Sequence, residues 1–377
     1  MADGIFDFTL NERLLTRSIN KAVSASNLNK SANLRLNAKG FSQPLGRIKA
    51  DLNEFDKSLD AASARVLAFG ASVGIIDGVR RSFAALVRET VAVEEALTKI
   101  NVVLGVNSAD IERFGQRLFD VAKNTQQSFS AAAEAATEFS RQGLGLEQTL
   151  KRTNDALILT RLSGLETAKA VDVLTASING FSNSALTSTE IVNRLAAVDQ
   201  AFAVSSKDLA ESLSRAGSSA QDANVQFNEL LALTTSVQQQ TARGGAVIGN
   251  AFKTIFARVS RGTSIDQLRE LGVAIDETQG GVEKLRAIGL AIESADEITA
   301  QRIKEIAGGV RQINIVSAAF RDLNRDISLY DGALDTANST TDEAIVKNEL
   351  LNKTLAALSN EAGLNLQEFA ATLGTIG

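Results

Sequence analysis

Cysteine, histidine and tryptophan are absent from this 377-residue chain, and proline, methionine and tyrosine occur once each. Without Cys there is no disulfide framework, and without Cys or His there is no ligand set for a zinc finger, a haem or an iron–sulfur cluster. Most side chains that enzymes use as bases and nucleophiles are missing, so no catalytic residue, cofactor or metal is expected. Aromatics make up only 5% of the chain, while apolar residues reach 44%, much of it Ala and Leu. A net charge of −5 and a pI near 5.2 give no global field that would gather nucleic acid. The first residues, Met-Ala-Asp-Gly-Ile-Phe-Asp-Phe, carry acids where a signal peptide needs bases, and no uncharged apolar run approaches the ~20 residues of a membrane span. The expectation is a protein made and kept, at first, in a cytosol.

What is abundant is helical periodicity. From Ser42, a candidate cap, and Pro44, tolerated in a first turn, one apolar stripe runs to Leu104 without another proline. Leu45, Ile48, Leu52, Phe55, Leu59, Ala62, Val66, Phe69, Val73 and Ile76 alternate steps of three and four, the spacing of a helix-pairing seam. Val79, Phe83, Leu86, Thr90, Val93, Leu97, Ile100 and Leu104 continue it after a three-residue stammer, which locally overwinds a supercoil. The spacing predicts one helix of ~90 Å that ends at Gly105 and needs a partner helix.

The expected fold class is therefore all-α, in four parts: an N-terminal arm over 1–41, the long heptad helix over 42–104, a helical Ala/Gly-rich body over 105–293, and long helices over 294–377. In the arm, 10–22 suits a short helix and 34–40 a brief strand. The body is punctuated at Gly105, Gly143/Gly145, Gly164, Gly180, Gly217, Gly244/Gly245, Gly262 and Gly280/Gly281. Capping boxes are expected at Thr187/Glu190, Ser205/Asp208, Thr263/Asp266, Ser294/Glu297 and Thr340/Glu343. Gly143, Gly180 and Gly217 stand 37 residues apart with apolar or Ala residues at matching offsets before them, which suggests stacked helix–turn–helix units against chance recurrence of similar hairpins. Between Gly272 and Gly289 the pattern loosens into a turn or short strand pair. Ile303, Ile306, Val310, Ile313 and Phe320 then predict a second long helix, and Ile345, Leu351, Leu355 and Leu358 another over 340–361. A further helix is starting at Leu366, so the chain reads as the front part of a longer protein.

Motif matches carry little chemistry. Gly70-Ala-Ser-Val-Gly74 fits the nucleophile elbow, but it lies inside a helical stretch and the chain has no histidine to serve as base. Ser18 and Lys21 have S-x-x-K spacing without its companion motifs. Gly70, Gly74 and Gly78 fall on one helix face at four-residue steps and read as close-packing glycines. As a membrane segment they fail, because Asp77, Arg80 and Arg81 interrupt the run and Val66–Ile76 would cover only ~16 Å. No acid lies between Glu229 and Asp266, whereas Arg243, Lys253, Arg258 and Arg261 do. These cations share no helical face and no aromatic set is interleaved, so solvated or acid-paired charges outweigh nucleic-acid binding. There is no D-x-D calcium loop and no glycine–lysine phosphate loop.

The run Phe139-Ser-Arg-Gln-Gly-Leu-Gly, then Leu150-Lys-Arg-Thr-Asn-Asp-Ala-Leu-Ile-Leu-Thr160, then Gly244-Gly-Ala-Val-Ile-Gly-Asn-Ala-Phe-Lys-Thr-Ile-Phe-Ala-Arg-Val259, resembles the core of tail tape-measure proteins of tailed phages. Leu268-Arg-Glu-Leu-Gly272 with Gly280-Gly-Val resembles the end of that core, and Phe41–Ile48 and Ala64–Ala71 are similar to segments ahead of it. The resemblance spans roughly residues 40–290 and lies in the order of the pieces. It implies a structural protein that lies in the tail lumen, scaffolds polymerisation of the tube, sets tail length and leaves ahead of the genome. The implied partners are the tail tube protein, a tail assembly chaperone and distal tail or baseplate proteins, with self-association and transient host membrane contact. Members are usually much longer; fully helical, this chain would reach ~570 Å. Competing readings are a membrane-active pore-former, opposed by the charges at 77–81, and a cytoplasmic coiled-coil adaptor, opposed by the Ala/Gly-rich body. The seam generates the first prediction: Leu52→Asp with Leu59→Asp abolishes association of the stripe, read as a lower mass in light scattering and a lower melting temperature.

Overall fold

The computed structural model describes residues 91–354 and scattered positions between 357 and 368, and several of its helices begin where a side chain satisfies the first free N–H groups. The seam residues Leu45 to Ile76, the glycines at 70, 74 and 78, and the arm over 1–41 lie outside the described residues. Residues 91–104 (α1) are helical and stop at Gly105, whose N–H donates to the Asn101 carbonyl at 2.8 Å with φ at 65°. Val93 and Ile100 of the shifted frame are buried, and Leu97 packs on Gly115, while Val102 and Val103 face outward.

Thereafter come α2 (Ser108–Thr125), α3 (Phe129–Arg141), α4 (Leu146–Ser163), α5 (Thr167–Gly180), α6 (Ser188–Ala201), α7 (Ser206–Asp222), α8 (Phe227–Thr241) and α9 (Gly245–Val259). Asn107, Ser128, Thr187 and Ser205 cap α2, α3, α6 and α7 by accepting N–H groups of the first turn. No strand occurs among the described residues, so the fold there is all-α as the periodicity predicts. The segment after Gly272 is a turn and not a strand pair.

The even- and odd-numbered helices form separate layers. α3, α5, α7 and α9 lie side by side in order, and α2, α4, α6 and α8 do the same. Their starts recur at intervals close to the 37-residue glycine spacing, so the chain builds consecutive helical hairpins that stack on their neighbours. The glycines do not mark equivalent turns, however. Gly143 lies in a turn, Gly180 is the last residue of α5, and Gly217 sits inside α7, where it allows close approach.

The even layer is the interior. In α8 every residue from Leu230 to Val237 is buried, and in α6 Ile191 to Val198 are nearly so except Arg194, the mark of helices covered on more than one side. One cover is the odd layer. The other comes from the end of the chain, after α10 (Gly262–Glu270), α11 (Gly281–Ser294), α12 (Glu297–Gly308) and α13 (Ile313–Leu323): α14 (Leu329–Ser339) packs on α8 and α6, and α15 (Glu343–Asn352) on α6, α4 and α2. Glu95–Leu366 form one compact unit.

Three expectations need correction. The predicted helix through Ile303 and Phe320 is two helices, because Gly309 takes φ 73° and Gly308 lets Val316 fold against it; Val310 is left 73% exposed in a short 3-10 turn. The helix predicted over 340–361 ends at Asn352, with Lys353 and Thr354 in a turn. Of the five capping boxes, only Thr187/Glu190 forms both bonds; Ser205 caps without the reciprocal bond, since Asp208 turns to another helix. The Thr263, Ser294 and Thr340 boxes do not form: the Asp296 carboxylate caps α12, and α10 and α15 start after Arg261 and Asp342 without a side-chain cap; at the start of α8 Glu229 accepts the Gln226 N–H at 2.7 Å with no Ser or Thr to announce it.

Amide side chains fasten the returning segment. Asn193, 3% exposed, donates to the Thr341 carbonyl at 2.7 Å and accepts from the Ala344 N–H at 3.1 Å. Arg161 donates to Asn348 and Asn352, which both donate to the Asn124 carbonyl at the end of α2. Asn193→Ala leaves two backbone groups without a partner, and a loss of about 1–3 kcal/mol is expected in denaturant unfolding, with faster amide exchange over 341–352 than over 329–339.

Candidate functional site

The most extensive helix–helix contact in the described unit is the crossing of α7 and α9. A Cβ placed on Gly245 would lie 1.8 Å from the Asp208 carbonyl oxygen, and one on Gly249 would lie 2.8 Å from the Ser212 backbone. No side chain fits at either position. Contacts ascend together, Asp208 with Gly245, Ser212 with Gly249, Arg215 with Asn250, so the two helices run parallel. The α5–α7 crossing repeats the device: Gly180 meets Gly217 and Ser218, Phe181 packs on Gly217, and Ser182 pairs with Gln221.

Asp208 anchors the crossing chemically. Its carboxylate accepts the Gly245 N–H at 2.7 Å, the Gln238 amide at 2.8 Å and the Ser205 hydroxyl at 2.6 Å, tying α7 to the first turn of α9 and the last of α8. Burial pushes this carboxyl up, but those three donors outweigh it and hold it below the ordinary carboxylate range. Ser212 and Thr234 bond at 2.8 Å beneath it, and Thr234 also donates to Leu230 within its own helix. Beside the crossing, an open depression of 610 Å³ is lined by Asp208, Gln238 and Arg243 among others; the first two already bond each other.

The even layer has its own acid. Asp155 of α4, 3% exposed, accepts the hydroxyls of Ser188 at 2.6 Å and Thr189 at 2.9 Å, both in the first turn of α6. Here burial prevails and pushes the carboxyl up. Asp322, fully buried, accepts the N–H groups of Leu329 at 3.1 Å and Tyr330 at 2.8 Å and so starts α14. These acids serve helix ends. Among the described residues, no group of three or more acidic side chains could hold a metal ion, and no helix is long and apolar enough to cross a membrane.

Of the residues singled out in the sequence, the pairing seam and the three close-packing glycines lie outside the described residues. The cations of 243–261 separate: Arg258 donates to the carbonyls of Glu305 and Ile306 at the end of α12, at 3.5 and 3.4 Å, where a cation is favoured. Arg243, Lys253 and Arg261 are exposed, as solvated charges are, and Arg258 is neither solvated nor acid-paired but bonded to carbonyls. Asp208 was read as the box partner of Ser205 and not as the anchor of α9, and Ser212 was missed; the signal for both contacts is the 37-residue offset, shared by Asp208–Gly245, Ser212–Gly249 and Gly180–Gly217.

The crossing predicts that Gly245→Ala costs roughly 3 kcal/mol, the upper end for overpacking, because backbone and not a flexible side chain blocks the added methyl. Gly145→Ser, at a cap with nothing within 4 Å, is expected to cost nothing; thermal melts of the two variants check the contrast.

No solved structure matches this chain. The family model of phage-related minor tail proteins matches residues 108–320, from the first residue of α2 into α13 and over more than half of the sequence. With the stacked hairpins lying within that match, the chain belongs to the phage-related minor tail protein family.

Proposed function

We propose that this tail protein acts as the tape-measure scaffold of its tail: it lies along the lumen, tube subunits polymerise around it, and its extended length sets where growth stops. The observation that carries the reading is the order of parts, a heptad stripe over 45–104, with one stammer after Ile76, that ends at Gly105, three residues before the family match begins. As a family member the chain is a structural component of the phage tail and so of the virion. The tail tube protein, an assembly chaperone and distal tail or baseplate proteins are the partners this role requires. A ruler works by geometry and needs no catalytic group.

In such a mechanism length is proportional to extended helical residues. Deleting two whole heptads between Leu45 and Ile76 preserves the seam's phase and removes 14 residues, so the tail should shorten by ~21 Å. Deletions within 108–259 expose the even layer and should yield misassembled particles or none. Electron microscopy of tails assembled with each deletion decides the matter: tails of unchanged length with the heptad deletion remove the ruler and leave a tail protein of another role.

A further inference from the structure

α15 is inside out. Its buried positions are Ala344 and Asn348, fastened by amides, while Val346 and Leu350 are 44% and 60% exposed. At 100° per residue, Val346 and Leu350 lie about 160° and 200° from Asn348 and Glu343 about 220°, and Lys353, the exposed residue that closes the helix, follows at about 140°, so the four border one outward face; Glu343 is half-buried there, and one of its carboxylate oxygens accepts the Thr341 N–H at 3.0 Å. Their spacing of three, four and three is that of a helix-pairing seam. An apolar pair bounded by an acid at one end and a base at the other is self-complementary in one orientation. Antiparallel, Val346 meets Leu350 of a second copy and Glu343 meets Lys353, each contact occurring twice; parallel, acid faces acid and base faces base. Lys347, at the edge of this face, is drawn back to Asp199 of its own chain at 3.7 Å.

We infer that the outward face of α15 is a self-association surface, pairing two copies of this chain antiparallel about a two-fold axis level with residue 348. The occupant is a second copy because the charge order of the stripe complements itself. The contact is smaller than the ~800 Å² per partner of a standard interface, so pairing is concentration-dependent. It is independent of the scaffold reading.

The test uses the full chain. Glu343→Lys makes every charged contact in its homodimer base on base, and Lys353→Glu makes every one acid on acid. Each variant alone should self-associate roughly fivefold to thirtyfold more weakly in sedimentation velocity, and an equimolar mixture should recover the affinity, since both contacts are then opposite in sign. Because association through 45–76 can mask this, a second readout exploits the absence of cysteine. Val346→Cys and Leu350→Cys chains, mixed and oxidised, should give cross-linked dimers in excess of those from either variant alone. Circular dichroism confirms that each variant is folded. Charge variants that behave alike singly and mixed, or cross-linking no greater in the mixture, overturn the surface; another protein or another part of the chain covering this face gives that result.

Discussion

Everything in the described unit depends on how closely α7 and α9 approach. Two glycines four residues apart remove the side chains that would hold the helices at the usual 8–10 Å, and α9 settles on the backbone of Asp208 and Ser212. Close approach brings many weak dispersion contacts into range, which suits a chain with few aromatics and much alanine. It also brings the Asp208 carboxylate to the free N–H of Gly245, so one contact joins packing and helix capping. The parallel register that results fixes the offset between hairpins, and the odd layer continues it at Gly180 and Gly217.

A layer fixed on one side leaves the even helices with an open face on the other. α6 and α8 are apolar around most of their circumference, so without a cover they would expose a large continuous surface. α14 answers this with Tyr330, Ala333 and Ala337, all buried. α15 answers it differently: its Asn348 and Asn352 donate to the Asn124 carbonyl at the end of α2, and Asn193 of α6 bonds the Thr341 carbonyl and the Ala344 N–H at its start. An apolar strap and a polar strap in succession imply unequal hold: the first is kept by area, the second by bonds that water can replace once opened. Of the two straps, α14 should therefore hold more firmly than α15.

The sequence announced the helices better than their arrangement. Gly105 and Thr187/Glu190 were read correctly because a cap is a local device, decided by a few consecutive residues. The boxes at Thr263, Ser294 and Thr340 failed because α12 starts at Asp296, whose carboxylate takes the first N–H groups, and α10 and α15 start after Arg261 and Asp342 without any side-chain cap; local rules do not rank competing starts. The break at Gly308–Gly309 was invisible because apolar period continued across it; what ends the helix is Val316 folding back, a tertiary contact. Glycine spacing pointed to a repeat, but as turn markers, whereas Gly217 is a packing residue in mid-helix. The interior helices were the hardest, since residues apolar all round give little periodic signal to show which face is covered. Of the site, Gly244–Val259 was singled out as a run, yet its partners Asp208 and Ser212 became visible only when the 37-residue offset was read as contact.

Geometry also divides the labour within the scaffold reading. A stacked hairpin of about forty residues advances the layer by one interhelical distance, ~10 Å, or ~0.25 Å per residue, whereas a rod advances 1.5 Å. The stack is thus about sixfold less efficient as a ruler than the heptad stripe, and varying it changes stability far more than length. A protein selected to measure would place its variable length outside such a unit and keep the unit for contacts that need a fixed shape. On that reading the segment matched to the family is the fixed part and the seam of 45–104 is the scale, so an added methyl group at Gly245 should loosen the unit while loss of whole heptads should only shorten the scale.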